Sequence, residues 1–416
     1  MHMTKTCMLG FLILGVLGGG PGFVPGPPGL IPNTAQAQKP EETPAPEESP
    51  PPMISAEQIK AWSAEFRDWH YYPEFVLPPS PDDGLDFVSI DCPLVFEHEG
   101  EWRMFYTGFD GNGYQTALAV SDDLVHWEPR KLVMSYGKEG AYDHGGVTFG
   151  GLLFEDYHPK APRTLKRWEG KYWALYGCYP RQGGYELRPG AEGLAWSEDG
   201  NTWHRHSEDT PILSIEGAEA WEEDCIYQPW LIERDGIFWN FYNAAQGSIE
   251  QSGIAFSKDL VEWERYAENP VLRNGPPGSY DEQFCADPKV FHDGEKWTAI
   301  YFGVGRGGAH IMIAFSRDGL NWVKDPEPLY KAGGHPGGLD ATYAHKISLI
   351  YQPDNETFYM YYCAVGDQGR GIGLLTSKPI ETPEVDDALP DGEAVPDEDH
   401  EENGDSSSTM VAGGSE

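Results

Sequence analysis

The stretch DCPLVF at residues 91–96 places an aspartate shortly before an apolar run, and DPKVF at residues 287–291 repeats the pattern. Looser copies begin at Asp143, Asp224 and Asp340. Each copy is followed by a turn and then by a segment rich in Trp, Tyr and Phe, a pattern typical of successive short strands. The period of about 60 residues fits one four-stranded sheet per repeat. We therefore expect an all-β fold, a five-bladed β-propeller.

Four of the repeats close with the same short motif, a Ser-x-Asp turn that is followed by a tryptophan. Side chains of Asp in such turns accept hydrogen bonds from nearby backbone N–H groups, so these residues are predicted to be structural. The aspartates are Asp123, Asp199, Asp259 and Asp318, and the tryptophans are Trp127, Trp203, Trp263 and Trp322.

Composition divides the chain into four segments. A short apolar run followed by the small-residue stretch at 35–37 predicts an export signal over residues 1–37, and hence a secreted or periplasmic protein. Residues 38–54 are rich in Pro and Glu and are expected to form a linker. Residues 55–380 form the propeller domain, which is predicted to be catalytic. Residues 381–416 carry many acidic residues and no Lys or Arg, which predicts a disordered tail.

A short helix is predicted at the start of the folded domain. Ser55 and Gln58 have the spacing of a capping box, in which each side chain accepts from the backbone of the other. Ile59, Trp62 and Phe66 then fall on one face of a helix. We expect this helix to pack on the outside of the propeller.

The charge and the cysteines exclude several classes of function. The formal net charge is −38, from 67 acidic and 29 basic residues, so neither nucleic acid nor an anionic membrane surface is an expected partner. No Cys or His spacing typical of zinc is present, and no metal site is predicted. The cysteines after the signal segment are expected to be small buried residues, with one disulfide between neighbouring blades left open.

The repeated aspartates suggest a catalytic site. In a propeller the first strand of each blade lines the central channel, so residues near the openings of these strands are expected to meet in one funnel. Crowded carboxylates acquire unequal pKa values, which suits one to act as an acid and another as a base in glycosidic bond cleavage. The alternative is that they only tie adjacent blades together. The aspartates concerned are Asp91, Asp143, Asp224, Asp287 and Asp340.

These repeats resemble the five-bladed propeller glycosidases, namely glycoside hydrolase families 43 and 32 and the family 130 mannoside phosphorylases, over roughly residues 69–380. The resemblance implies that Asp91 is the base that activates water and that Asp143 orients and tunes the acid. The acid would be Glu223 or Asp224, because the sequence EEDC at residues 222–225 departs from the family pattern. The family 32 signature Asn-Asp-Pro-Asn is also missing from the first repeat.

Other polar residues complete the predicted site. Substrate hydroxyls are expected to meet His144, His345 and Arg306, together with the channel carboxylates Asp287 and Asp340. No cofactor is required, although a structural Ca²⁺ in the channel is left open. We therefore predict an exported glycoside hydrolase acting on oligo- or polysaccharides.

Two alternatives share this fold. A glycoside phosphorylase would bind phosphate with basic residues, and Arg306, His335, His345 and Arg370 are the candidates. A non-catalytic carbohydrate-binding propeller would use the aspartates only as ties between blades.

Overall fold

The structure, a computed structural model, describes residues 53–81, 84–335 and 337–381. The predicted signal segment, most of the linker and the tail beyond residue 381 lie outside this part of the chain. Within it, no helix is long and apolar enough to cross a membrane.

The predicted N-terminal helix is present as α1 (Ala56–Ser63). Ser55 accepts from the backbone N–H of Gln58, and the Gln58 side chain accepts from the backbone of Ser55, so the predicted capping box is confirmed. A single 3₁₀ turn (Ala64–Phe66) follows.

Aromatic packing and a buried aspartate hold this helix against the sheets. The ring of Trp62 meets Phe315 edge-on at 5.4 Å, and Phe66 packs 5.6 Å from Phe358. The Ser63 hydroxyl donates to Asp325 at 2.6 Å. Because each contact reaches a residue far along the chain, the helix ties the N-terminal segment to the late strands.

The predicted all-β class is confirmed, since the described residues beyond α1 and two 3₁₀ turns form twenty strands in five consecutive antiparallel groups. The first group is β2 (Ser89–His98), β3 (Glu101–Phe109), β4 (Tyr114–Ser121) and β5 (Glu128–Met134). The second is β6 (Gly146–Leu152), β7 (Tyr172–Tyr179), β8 (Ala191–Ser197) and β9 (His204–Arg205). The third is β10 (Cys225–Arg234), β11 (Ile237–Gln246), β12 (Ile249–Ser257) and β13 (Glu264–Arg265). The fourth is β14 (Phe284–His292), β15 (Trp297–Gly305), β16 (Gly308–Ser316) and β17 (Trp322–Lys324). The fifth is β18 (Tyr343–Gln352), β19 (Thr357–Gly366) and β20 (Gly369–Thr376), with β1 (His70–Tyr71) paired to β20.

Neighbouring groups meet where the third strand of one touches the first strand of the next. Single parallel pairs join Tyr114 to Gly146, Glu250 to Phe284, and Ala309 to Tyr343. Each pair lies at the beginning of both strands. The openings of the first and third strands are therefore gathered at the same edge of successive groups, and this edge carries the site described below.

A β-bulge interrupts the first strand of four groups and shifts the expected register. The bulged residue has a positive φ in each case: 50° at Cys92, 55° at Gln228, 51° at Asp287 and 52° at Lys346. Asp287 therefore occupies the place of Cys92. Its apparent counterpart Asp91 lies one residue earlier, so the two stretches that define the repeat are offset by one residue.

The predicted turns and the predicted state of the cysteines are confirmed. In all four Ser-x-Asp turns the aspartate accepts from two backbone N–H groups, as Asp199 does from Asn201 and Thr202 at 2.8 Å each. The five cysteines in the described part of the chain are buried and free. They fill space in the sheets, and the disulfide left open does not form among them.

Candidate active site

A pocket of about 430 Å³ opens at the edge where the first and third strands begin. Its walls mix aromatic rings with carboxylates and cations drawn from all five groups of strands. Such a volume suits a small organic ligand or a single sugar unit. The lining residues are Tyr114, Tyr185, Glu186, Tyr227, Glu250, Gln283, Phe284, Phe302, Val304, Ala309, Tyr343, His345, Lys346, Val365 and Arg370.

Asp91 lies against the cationic residues that form the floor of this pocket. Its Oδ2 accepts from the Arg370 guanidinium at 2.7 Å and from the Lys346 ammonium at 2.8 Å, while its Oδ1 accepts from the N–H of Cys92 at 2.9 Å. Burial alone would raise the pKa of Asp91, but the charges of Arg370 and Lys346 outweigh it and lower the pKa well below its usual range. Asp91 is thus a permanently ionised carboxylate that is only 5% exposed.

The two cations also organise their other neighbours. Lys346 lies 3.5 Å from a carboxylate oxygen of Glu186, and Arg370 lies 3.1 Å from Nε2 of His345. Burial, with Arg370 and Lys346 close by, lowers the pKa of His345 to about 3. His345 is therefore neutral. Its Nδ1 faces the carbonyl of Cys363 at 3.0 Å and donates to it, which leaves Nε2 to accept from Arg370.

Glu250, the second residue of β12, has an environment opposite to that of Asp91. It is 3% exposed, and burial raises its pKa to about 7, with a further increase from the negative charge of Glu186. The Asn243 amide donates to it at 3.2 Å, and an oxygen of Glu250 lies 3.7 Å from the Arg188 guanidinium. A carboxyl group with this pKa carries a proton near neutral pH and can donate it.

Glu186 and Arg188 reach the pocket on the long connection between β7 and β8. The Glu186 side chain is 40% exposed and its φ of 45° lies in the left-handed region. Arg188 donates to the carbonyl of Gly247 at 2.8 Å and fixes the connection against the third group. Strained backbone that holds a charged side chain in a pocket is often found at functional sites.

The structure brings only part of the predicted constellation together. Asp91 and His345 meet at the pocket floor through Arg370. Asp287 is 2% exposed and forms an ion pair of 2.5 Å with Lys289. Because it occupies the bulge position, it belongs to the buried inner strands and does not line the pocket.

The remaining predicted carboxylates lie away from the pocket lining. Asp143 is fully buried against Arg205 at 2.5 Å, and Asp340 accepts from the Tyr362 hydroxyl at 3.0 Å. Glu223 is exposed and accepts from the Gln246 amide, whereas Asp224 accepts from the N–H of Gly247. These contacts are those of ties within and between groups.

The predicted polar contacts His144 and Arg306 also lie outside the pocket lining. Nδ1 of His144 faces the carbonyl of Gly137 at 3.2 Å. Arg306 lies in the turn between β15 and β16, as predicted for the glycine-rich stretch, and its guanidinium packs over the ring of Tyr280 at 5.5 Å.

Three residues of the floor have the donor types of a metal site. Ligand atoms of Asp91, His345 and Cys363 lie within 4.8 Å of one another. The Arg370 side chain contacts all three, with Nε 3.3 Å from the Cys363 sulfur. A metal ion there would have to displace a guanidinium, so the arrangement fits an arginine site better. The Ca²⁺ left open for the channel remains a prediction.

A sequence model of the glycosyl hydrolase family 32 N-terminal domain matches residues 91–340. The chain belongs to this family. The glycosidase class predicted from the sequence is thereby confirmed. The matched residues begin at Asp91 and end at Asp340, so they extend from the first strand to the last loop before β18.

Curated relatives match only a short part of the chain. A fructan 1-exohydrolase of Leymus chinensis is 36% identical over 98 residues, which are 21% of this chain and 16% of that enzyme. A fructan 1-exohydrolase of Triticum urartu is 35% identical over 92 residues, 20% of this chain and 15% of that enzyme. The match thus spans less than a fifth of the length of these relatives.

Solved structures match far more of the chain. A structure described as a complex of BT0996 with RGII is 27% identical with a TM-score of 0.69, covering 80% of this chain and 98% of the matched protein. A second, described as "Glycoside hydrolase", gives 26% and 0.67 over the same shares. A family 130 enzyme, from a study of mannoside phosphorylases and β-1,2-mannosidic linkages, is 14% identical with a TM-score of 0.52, covering 74% and 93%. It shares the fold alone.

Proposed function

We propose that this protein hydrolyses glycosidic bonds, with Glu250 as the general acid and Glu186 as the ionised carboxylate that acts on the sugar or on water. The observation that carries this proposal is that one pocket holds two carboxylates in unlike environments. Glu250 is buried and has a pKa of about 7. Glu186 is partly exposed and lies beside the Lys346 ammonium. Glycosidases need one protonated and one ionised carboxyl group.

Asp91, which the sequence suggested as the base, takes a different role in this proposal. Both of its oxygens are engaged, by two cations and by its own backbone. A carboxylate with so low a pKa is a weak base. Its contribution is to hold Lys346 and Arg370 at the floor, where the free edges of these cations meet the substrate.

We propose that the five groups of strands are five blades arranged in a ring. The first and fifth groups are in contact, because the N–H of Val95 donates to the Ser348 hydroxyl at 2.9 Å and Lys346 binds Asp91. The pairing of β1 with β20 supplies the outer strand of the last blade. Propellers commonly close in this way, and closure explains how residues far apart in sequence form one pocket.

The pocket favours a sugar at the end of a glycan. Its floor is sealed by the buried side chains of Asp91 and Lys346, which are 5% and 6% exposed, so a polysaccharide cannot pass through. The structure described as a complex with RGII makes a terminal unit of that glycan the first substrate to test. The fructan exohydrolases make a fructan end the second.

Phosphorolysis is the second candidate reaction, and the basic residues disfavour it. Of the four candidates for phosphate binding, only His345 and Arg370 touch. His335 stacks on Tyr71 at 4.1 Å, and Arg306 packs on Tyr280. Arg370 is already paired with Asp91, so a dedicated phosphate cluster does not form from these residues.

We also propose that the protein is exported, on the evidence of the signal-like residues 1–37. An extracellular or periplasmic location fits a glycan substrate. Comparing the N-terminal residue of the mature protein with the small-residue stretch at 35–37 tests this point.

The test is to incubate the purified protein with RGII oligosaccharides, with an inulin-type fructan and with a panel of aryl glycosides, each with and without phosphate. We expect release of one monosaccharide without dependence on phosphate. Glu250→Gln and Glu186→Gln should each lower kcat by about 10³-fold or more. The anomer released, observed by NMR, distinguishes retention from inversion.

Glu262→Gln is the matched control, because Glu262 is exposed on the turn before β13. It should leave turnover unchanged. A comparable loss on Glu223→Gln or Asp224→Asn, with full activity in Glu250→Gln, would return the acid to that pair. Binding of the glycans with no product after long incubation would favour the non-catalytic alternative.

A further inference from the structure

Tyr185, the residue before Glu186, is an exposed aromatic ring held in a fixed orientation. Its ring stacks on Phe109 with centroids 4.1 Å apart and an angle of 30° between the planes. Its hydroxyl lies 3.2 Å from the Ser89 hydroxyl. These contacts reach the first group of strands from a loop of the second group.

The ring nonetheless stays largely open. Tyr185 is 47% exposed, whereas Phe109 beneath it is 3% exposed. Tyr185 also lines the same pocket as Glu186 and Glu250. One face of the ring is therefore covered by Phe109, and the exposed surface belongs to the pocket wall.

Tyr343 provides a comparison within the same pocket. It is 41% exposed, but the ring that contacts it, His345, lies 6.0 Å away at 59°. No parallel ring packs against Tyr343 among the described residues. Tyr185 thus differs from Tyr343 in having its orientation set before any ligand arrives.

We propose that Tyr185 is a stacking platform for the apolar C–H face of a sugar ring bound in this pocket. A sugar presents C–H groups on one face and hydroxyls at its rim, so an aromatic ring can cover the former while charged groups bind the latter. The stack on Phe109 reduces the entropy lost on binding, because the ring does not need to be ordered. The inference rests on the proposed function only in taking carbohydrate as the ligand of the pocket.

The test measures binding in the Glu250→Gln background, so that the ligand is not cleaved. Isothermal titration with an RGII oligosaccharide and with a fructan oligosaccharide is compared for this background alone and with Tyr185→Phe, Tyr185→Leu or Tyr185→Ala added. We expect Tyr185→Phe to keep the affinity within about 2-fold and Tyr185→Leu and Tyr185→Ala to weaken it by about 10-fold. Phe87→Ala, at a residue 43% exposed outside the pocket lining, should have no effect.

Thermal unfolding of each variant separates stacking from packing of the loop. Tyr185→Leu retains apolar bulk over Phe109, so its Tm should stay close to that of the background while its affinity falls. Unchanged affinity in Tyr185→Leu or Tyr185→Ala, an equal loss in Tyr185→Phe, or failure of the background to bind either oligosaccharide overturns the proposal. Binding that depends on Tyr185 with no turnover by the wild-type protein would refute the hydrolase and retain the platform.

Discussion

The ammonium group of Lys346 donates a hydrogen bond of 2.8 Å to Asp91, 255 residues earlier in the chain. Both side chains are buried, with 6% and 7% of their surfaces exposed. Arg370 binds the same carboxylate oxygen at 2.7 Å. One carboxylate therefore joins β2, in the first group, to β18 and β20 in the fifth, and balances two cations below the pocket.

Removing this carboxylate should destabilise the fold as well as impair the site. Asp91→Asn leaves two buried cations without their partner, so we expect the free energy of unfolding to fall by about 3–5 kcal/mol. Adding Lys346→Met should restore part of this loss, because one of the unpaired charges is then removed. Urea unfolding at neutral pH measures both effects.

Asp235→Asn is the control for that substitution, since the Asp235 side chain is 91% exposed. It should change the unfolding free energy by less than about 0.5 kcal/mol. If Asp91→Asn is as stable as the wild type, the two cations are not balanced by Asp91 in the way described.

Arg188 should set the upper limit of the pH range for activity. Its guanidinium lies 3.7 Å from Glu250 and favours the ionised form of that carboxyl group. Arg188→Met removes this charge, so the pKa of Glu250 rises and the acid stays protonated to higher pH. The alkaline limb of kcat/KM should then move up by about 0.5 to 1 pH unit.

The measurement is the pH profile of kcat/KM on whichever oligosaccharide the wild-type protein cleaves. Arg273→Met, at an exposed arginine on the loop before β14, should leave the limb in place. A limb that stays in place or moves down in Arg188→Met would show that Glu250 does not titrate as the acid, or that Arg188 does not face it in solution.

Features encoded by a few adjacent residues could be predicted from the sequence. The capping box at Ser55 and the turn at Asp199 depend on contacts over three residues, so composition and spacing suffice. The all-β class follows from the repeat. Asp91 and His345 could also be placed in the site, because each lies near the bulge of a first strand.

The proposed acid and its partner could not be predicted in the same way, because neither follows the repeat. Glu186 lies on an insertion with no counterpart in the other repeats, and only the structure shows that this loop reaches Lys346. Glu250 opens a third strand, whereas the repeated aspartates mark first strands. A signal was present, since the second residue of the third strand is ionisable in three groups, at Glu192, Glu250 and Arg370.

The register error has a similar origin. DCPLVF and DPKVF align on their aspartates by eye, but the bulge places Cys92 opposite Asp287. A one-residue offset in a strand turns a side chain to the other face. Sequence spacing therefore could not separate the carboxylate of the site from the one paired with Lys289.

The buried aspartate below α1 should contribute to stability without affecting catalysis. Asp325 accepts from Ser63 and from Arg67 at 2.6 Å each. Asp325→Ala removes both contacts, and we expect the unfolding free energy to fall by about 1–3 kcal/mol. Urea unfolding measures the loss, with Asp354→Ala at an exposed turn as the control. A matching fall in kcat would contradict a purely structural role.

Glu192 should make the protein less stable as the pH rises. It is buried, one of its oxygens has no hydrogen-bond partner, and burial raises its pKa to about 8. The unfolded chain ionises near pH 4.5 while the folded protein does not, so its contribution to stability is complete below pH 4.5 and is lost as the pH rises toward 8. Glu192→Gln, which cannot ionise, should therefore gain about 1–3 kcal/mol relative to the wild type between pH 5 and pH 8. Urea unfolding at these two pH values measures the gain, and Glu216→Gln, at an exposed residue, should show none. An equal difference at both pH values would mean that Glu192 is ionised throughout, through its contact with Asn240 and the nearby charge of Arg265.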